Sequence, residues 1–172
     1  MKKVILIGYM AVGKTTIGQM LSEKTGVKYV DLDHLIEKKT NLSISELFKL
    51  KGEVYFRKVE HQIFKEIILN DESLIISTGG GTPCYADNHL FLNAENITSI
   101  YLKASLSVIL ERLKSEKKSR PLIANQSEEE LKEFVAKHLF ERSYFYNQAT
   151  FKIAIDNKSR EDITNHILEL LN

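Results

Sequence analysis

Tryptophan is absent from these 172 residues, cysteine occurs once, proline twice, and neither sign of charge prevails. Cys84, being alone, cannot close an internal disulfide, so a disulfide-stapled scaffold is excluded and a reducing cytoplasm is the expected compartment. Its thiol reads as buried or inert. No apolar run approaches the ~18 residues of a membrane-spanning helix, and the opening MKKVILIGYMAVGK is broken by glycines and a lysine, so neither anchor nor leader is expected. Lys plus Arg number 24 against 23 for Asp plus Glu, a net charge of +1, which offers no general attraction for nucleic acid or an anionic membrane. Any polyanion must be bound locally. No repeat, low-complexity tract or proline-rich linker divides the chain. One domain over 1–172 is expected, monomeric, burying roughly 70% of the surface its unfolded form would expose.

What the chain does contain is alternation. The short runs VILI (4–7), YV (29–30), LIIS (74–77), ITSIYL (97–102) and FKIAI (151–155) are rich in Ile and Val and separated by longer amphipathic stretches. That pattern predicts an α/β fold of βαβ units around a parallel sheet. Phe56, Val59, Ile63 and Ile67 form one apolar stripe at helical spacing; Ile163, Ile167, Leu168 and Leu171 form another. Ser43 stands three residues before Glu46 and Ser159 three before Asp162, so each pair can cap a helix start reciprocally.

The first apolar run leads directly into GYMAVGKTT, residues 8–16. A phosphate chain is bound by backbone N–H groups only if no side chains stand in the way, and Gly8 and Gly13 allow that approach. Ala11, Val12, Gly13, Lys14, Thr15 and Thr16 are the expected ATP-binding residues. Lys14 would reach the β- and γ-phosphates, Thr15 would place its hydroxyl on Mg²⁺, and the helix that follows would offer its positive end. Ala11 stands where many such loops carry glycine, so a left-handed backbone there would be slightly strained.

The acceptor of the phosphate must be read elsewhere. VDLDHLIEKK places Asp31 and Asp33 two apart at the carboxyl end of the second run. In an extended segment they would point to one side. One would steady the hydrated metal while the other accepts a hydrogen bond from an acceptor hydroxyl; the plainer alternative is a helix cap. Gly79, Gly80 and Gly81 follow the third run, suited either to close approach by a small ligand or to a flexible turn. Arg57 beside Phe56, and Arg142 in ERSYFY, match a carboxylate-binding fork against aromatic rings, although each alone would pass for a surface residue.

Taken together, GYMAVGKTT, the DLD pair, GEVYFRKVE, TGGG, SRPL and ERSYFY resemble the shikimate kinase family in order and approximate spacing, from about residue 3 to 160. The resemblance implies a three-layer α/β/α sandwich with a five-stranded parallel sheet, like the nucleoside-monophosphate kinases. It implies transfer of the γ-phosphate of ATP to the 3-hydroxyl of shikimate, giving shikimate 3-phosphate in aromatic amino acid biosynthesis. Asp33, Arg57, Gly80 and Arg142 would hold shikimate, with Gly79 and Gly81 beside them. Lys14 and Arg120 would hold the transferring phosphate, Thr15 the metal, and Asp31 would act on it through water. Adenine contacts would fall near Arg112 and the loop 156–160, including Arg160.

KSEKKSRPLIANQ, residues 114–126, is polar, charged and interrupted by Pro121, and predicts a lid carrying Arg120 over the phosphates, with Lys117 and Lys118 facing solvent. Two rival classes are weaker. A GTP-driven switch would need Asn-Lys-x-Asp late in the chain, where Asn157, Lys158 and Ser159 lead to Arg160. A nucleic-acid binder would need more than the basic run Arg112, Lys114, Lys117, Lys118 and Arg120. The nearer rival is a kinase for gluconate or a nucleoside monophosphate. Gluconate shares the carboxylate-plus-hydroxyl chemistry, and only the TGGG and FRKVE motifs weigh against it.

Overall fold

The computed structural model describes residues 3–116 and 127–171. Five parallel strands form its centre: β1 (Lys3–Ile7), β2 (Lys28–Asp31), β3 (Leu74–Ser77), β4 (Ile97–Lys103) and β5 (Phe151–Ala154), in the order β2-β3-β1-β4-β5. All five expected apolar runs are strands. Helices α1 (Lys14–Thr25), α2 (Leu32–Thr40), α3 (Ile44–Leu69), α4 (Leu106–Glu116), α5 (Glu128–Tyr146) and α6 (Arg160–Leu171) cover both faces.

The alternation of side chains along a strand sorts the core into two layers. Val4 and Leu6 of β1 face a cluster with Ile17 and Leu21 of α1, Ile109 and Leu113 of α4, and Ile163 and Ile167 of α6. Ile5 and Ile7 face the other way, onto Leu32 and Ile36 of α2 and Phe56, Ile63 and Phe64 of α3. Both apolar stripes read from the sequence lie on these core faces. The expected caps form as well: Ser43 and Glu46 make a reciprocal box, and Ser159 receives Asp162 N–H at 3.1 Å while offering its own N–H to the carboxylate at 3.2 Å. Ser127 and Glu130 form a third box at the start of α5.

β1 pairs with β3 on one side and with β4 on the other, so the direction of winding reverses at its carboxyl end. Open α/β sheets collect ligands at such a crevice. Helix α4 continues through Glu116, so the segment from 114 expected to be loop begins as helix. The remainder of the expected lid, 117–126, lies outside the described residues and Arg120 with it.

Candidate active site

The phosphate loop leaves β1 at Gly8, whose φ is 143°. A side chain there would meet the Leu102 carbonyl of β4 at 2.7 Å, so only glycine fits. Gly13 caps α1 without any side-chain hydrogen bond, and the first turn of α1 carries no acidic residue. The positive end of the helix, carrying no side-chain cap and no acidic residue, lines the cavity, which suits an anion. Lys14 curls over the loop, its Nζ donating to the Gly8 carbonyl at 2.7 Å and the Tyr9 carbonyl at 2.8 Å. Ala11 sits at φ 63°, the left-handed conformation expected to strain it.

A cavity of about 520 Å³ opens beside the loop, lined by residues 10–17, Asp31, Asp33, Thr78, Gly79, Gly80, Arg112, Ser115, Lys158, Arg160 and Ile163. All the expected ATP-binding residues within the described chain line it. Arg112 also has a task the sequence did not suggest: its guanidinium donates to the Ala11 and Val12 carbonyls, both at 3.1 Å, and so braces the strained part of the loop.

The two aspartates occupy different elements. β2 ends at Asp31 and α2 begins at Leu32, so the extended geometry expected to align both carboxylates is replaced by a helix turn at Asp33. The reason is local: Asp31 Oδ1 accepts the Asp33 and His34 N–H groups at 3.0 and 3.3 Å, the cap that starts the helix. Its Oδ2 takes the Thr15 hydroxyl at 3.3 Å and the Tyr29 hydroxyl at 3.1 Å. The cap and the proposed metal role are thus compatible, one oxygen for each. Burial of Asp33, reinforced by the Asp31 and Glu60 carboxylates and opposed by Lys14, pushes its pKa up to about 6.

The glycine run after β3 lies against the charged residues of the other half of the site. A side chain at Gly79 would stand 3.1 Å from Asp33 Oδ1 and 3.3 Å from Glu60 Oε1; one at Gly80, 3.3 Å from Arg142 Nη1; one at Gly81, 2.6 Å from Arg57 Nη2. The run is therefore where Asp33, Arg57 and Arg142 converge. Arg57 bonds Glu60 at 2.8 Å and Glu53 at 3.3 Å, and its guanidinium lies 4.0 Å over the Tyr85 ring and 5.0 Å from Phe56. Arg142 lies over Tyr9, 5.3 Å from the ring centroid.

Glu60 escaped the sequence reading. Its side chain is 1% exposed, and it bridges Arg57 to the Thr82 hydroxyl, which donates to Oε1 at 2.7 Å. The spacing of three from Arg57 on one helix was the available signal. Tyr146, one helical turn beyond Arg142, was missed too; it donates to the Gly80 carbonyl at 2.6 Å. Cys84 is half-buried, and burial pushes its thiol up to about 11, away from the reactive thiolate.

An anion-binding loop at the head of a parallel sheet, next to a glycine turn on which two arginines and two carboxylates converge, fits a phosphotransferase with a small anionic acceptor. Comparison with known proteins narrows this. The sequence model of the shikimate kinase family matches residues 10–172. A shikimate kinase of Flavobacterium johnsoniae is 53% identical over 171 residues, covering 99% of each chain. A solved shikimate kinase from Bacteroides thetaiotaomicron superposes with a TM-score of 0.91 at 34% identity, covering 99% of this chain and 98% of the other. One from Acinetobacter baumannii, in complex with shikimate, gives 0.87 at 32% identity, covering 99% and 93%. The chain belongs to the shikimate kinase family, and is accordingly an ATP-dependent kinase that acts on shikimate.

Among the described residues no helix is long and apolar enough to cross a membrane, and no cluster of three or more His, Cys, Asp or Glu could cage a metal. Thr15 and Asp31 offer two hard oxygens 3.3 Å apart at the cavity, a donor set that fits a divalent ion completed by phosphate oxygens and water.

Proposed function

We propose that the chain transfers the γ-phosphate of ATP to the 3-hydroxyl of shikimate, as a cytoplasmic monomer with Mg²⁺ as the divalent ion, without nucleic-acid or membrane partners. The observation that carries the residue assignments is the convergence of Asp33, Arg57 and Arg142 on Gly79–Gly81, beside the phosphate loop.

Arg57 and Arg142 bind the acceptor carboxylate, each guanidinium held flat by an aromatic ring and shielded on that face from water. This leaves the hydroxyl end directed toward Asp33. With a pKa near 6, Asp33 is mostly ionised at neutral pH and able to take a proton. As the hydroxyl oxygen bonds to the γ-phosphorus, the bond to the bridging oxygen breaks, ADP departs, and the hydroxyl proton passes to Asp33. Lys14 leaves the loop carbonyls for the phosphate oxygens and stabilises charge moving toward the leaving group. Mg²⁺, held by Thr15 directly and Asp31 through water, would neutralise phosphate charge when bound. Arg120 is assigned to the transferring phosphate on the family resemblance.

The test is an acceptor panel. ADP release is followed with shikimate, gluconate and AMP, each with Mg²⁺ and with excess chelator. Turnover with shikimate alone, lost on chelation, is expected; turnover with gluconate or AMP and none with shikimate would overturn the reading.

A further inference from the structure

Phe134, His138, Arg142 and Tyr146 recur every four residues along α5, which puts them on one face of the helix. That face is turned toward the site, and Arg142 stands between two contacts that tie the helix to it. On one side Tyr146 donates to the Gly80 carbonyl at 2.6 Å. On the other, His138 Nδ1 and the Tyr9 hydroxyl are hydrogen-bonded at 3.2 Å, and Phe134 packs against the imidazole with ring centroids 4.1 Å apart. Tyr9 belongs to the phosphate loop, where its side chain is 1% exposed. Its ring is the surface on which the Arg142 guanidinium lies.

We infer that His138 and the Tyr9 hydroxyl together form a positioning device for acceptor binding: their hydrogen bond fixes the ring that orients Arg142. An arginine side chain has many rotamers, and ordering one in the free protein removes that cost from ligand binding. A flat ring under the guanidinium does this only if the ring is itself held, and a buried tyrosine is held at its hydroxyl. Burial and the Arg142 guanidinium both lower the His138 pKa, so a neutral imidazole stands one turn from the arginine and adds no competing cation. At the nucleotide end the Tyr9 carbonyl receives Lys14, a backbone contact that removal of the hydroxyl leaves in place.

The inference rests on the assignment of Arg142 to the acceptor carboxylate, and the experiment separates the two. Steady-state constants are measured for Tyr9→Phe, His138→Phe, the double variant, His138→Asn and, as reference, Arg142→Ala, with thermal unfolding to confirm that each is folded. Each single Phe variant is expected to raise the KM for shikimate about three- to tenfold, the worth of one hydrogen bond, with the KM for ATP and kcat unchanged. The double variant should lose no more than either single one, because both act through one bond. His138→Asn, which restores a polar partner, should recover most of the loss. An unchanged shikimate KM in Tyr9→Phe, a parallel rise in the ATP KM, additive losses, or no recovery with Asn would each overturn the inference. If Arg142→Ala leaves shikimate binding intact, the acceptor assignment itself fails; if Arg142→Ala weakens it and the Tyr9 and His138 variants do not, only the positioning role fails. Tyr9→Phe, which removes a single oxygen, decides the matter should the histidine variants not fold.

Discussion

At the phosphate end of the site, residues 8–16 supply loop, lysine, hydroxyl and helix terminus in one unbroken string, mostly through the backbone. At the proposed acceptor end, Asp33, Arg57, Glu60 and Arg142 come from α2, α3 and α5 and present side chains around the Gly79–Gly81 turn that follows β3. The contrast follows from the ligands. A phosphate chain is recognised by its charge and can be met by local N–H groups and a helix end, whereas a carboxylate separated from a hydroxyl by a carbon ring needs charges placed at opposite ends of a pocket. Only the packing of several elements supplies that spacing. The acceptor end is accordingly the more exposed to mutations in distant segments.

Asp33 joins the two ends, and replacing it should have the largest effect. Asp33→Asn is expected to reduce turnover about 10²- to 10⁴-fold while leaving MgATP binding intact, since the amide cannot take the proton. The same substitution should alter stability with pH. The folded pKa of about 6 lies above the ordinary 3.8, so the fold holds this proton more tightly than the unfolded chain. The resulting stability is fully present below the lower value and is lost as pH rises through about 6, a change of about 2–3 kcal/mol. Urea unfolding at pH 5 and pH 8 reads about half of this, roughly 1.4 kcal/mol, since pH 5 already lies above the unfolded value: Asp33→Asn should remove that part of the pH dependence and gain on the wild type at pH 8. Near-normal turnover in the variant would reduce Asp33 to a helix residue without a role in proton transfer.

Glu60→Ala tests whether the acceptor end depends on buried pairing. Leaving Arg57 without its buried partner should cost about 3 kcal/mol of stability, read from denaturant midpoints. A smaller loss would mean that Glu53 alone suffices to hold the arginine.

Arg57→Ala and Arg142→Ala should each weaken shikimate binding by about 1.5–3 kcal/mol and barely change ATP binding, both measurable by calorimetry. An equal loss for both ligands would erase the distinction between the two ends.

Ala11→Gly probes the phosphate end by itself and should have the smallest effect. Relief of the left-handed strain at φ 63° is offset in part by the greater freedom of glycine in the unfolded chain, leaving a gain of about 0.5 kcal/mol, detectable as a slightly raised Tm. A loss of stability would mean that the Arg112 brace already accommodates the alanine.

The sequence by itself determined whatever depends on neighbours along the chain. Five apolar runs of strand length, stripes of apolar residues at helical spacing, the serine caps and the contiguous phosphate loop are local patterns, and local physics suffices for them. The candidate acceptor residues Asp33, Arg57 and Arg142 stood out by their chemistry, and the family resemblance added the sheet of five strands and shikimate as the acceptor, because it carries over distant positions as a set. Tertiary structure alone decided how the ends meet. The Asp31 cap turned the chain into α2 before Asp33, so these carboxylates are separated by a helix start and not aligned along a strand. Packing of α3 against the Gly79–Thr82 turn buried Glu60 and made a surface-type arginine part of a network. Docking of α5 on the phosphate loop set Arg142 over Tyr9, a residue more than a hundred positions earlier, and no pattern along the chain encodes that meeting. The burial that raises the Asp33 pKa exists only once these elements close around it, since desolvation is a property of the assembled pocket and not of any segment.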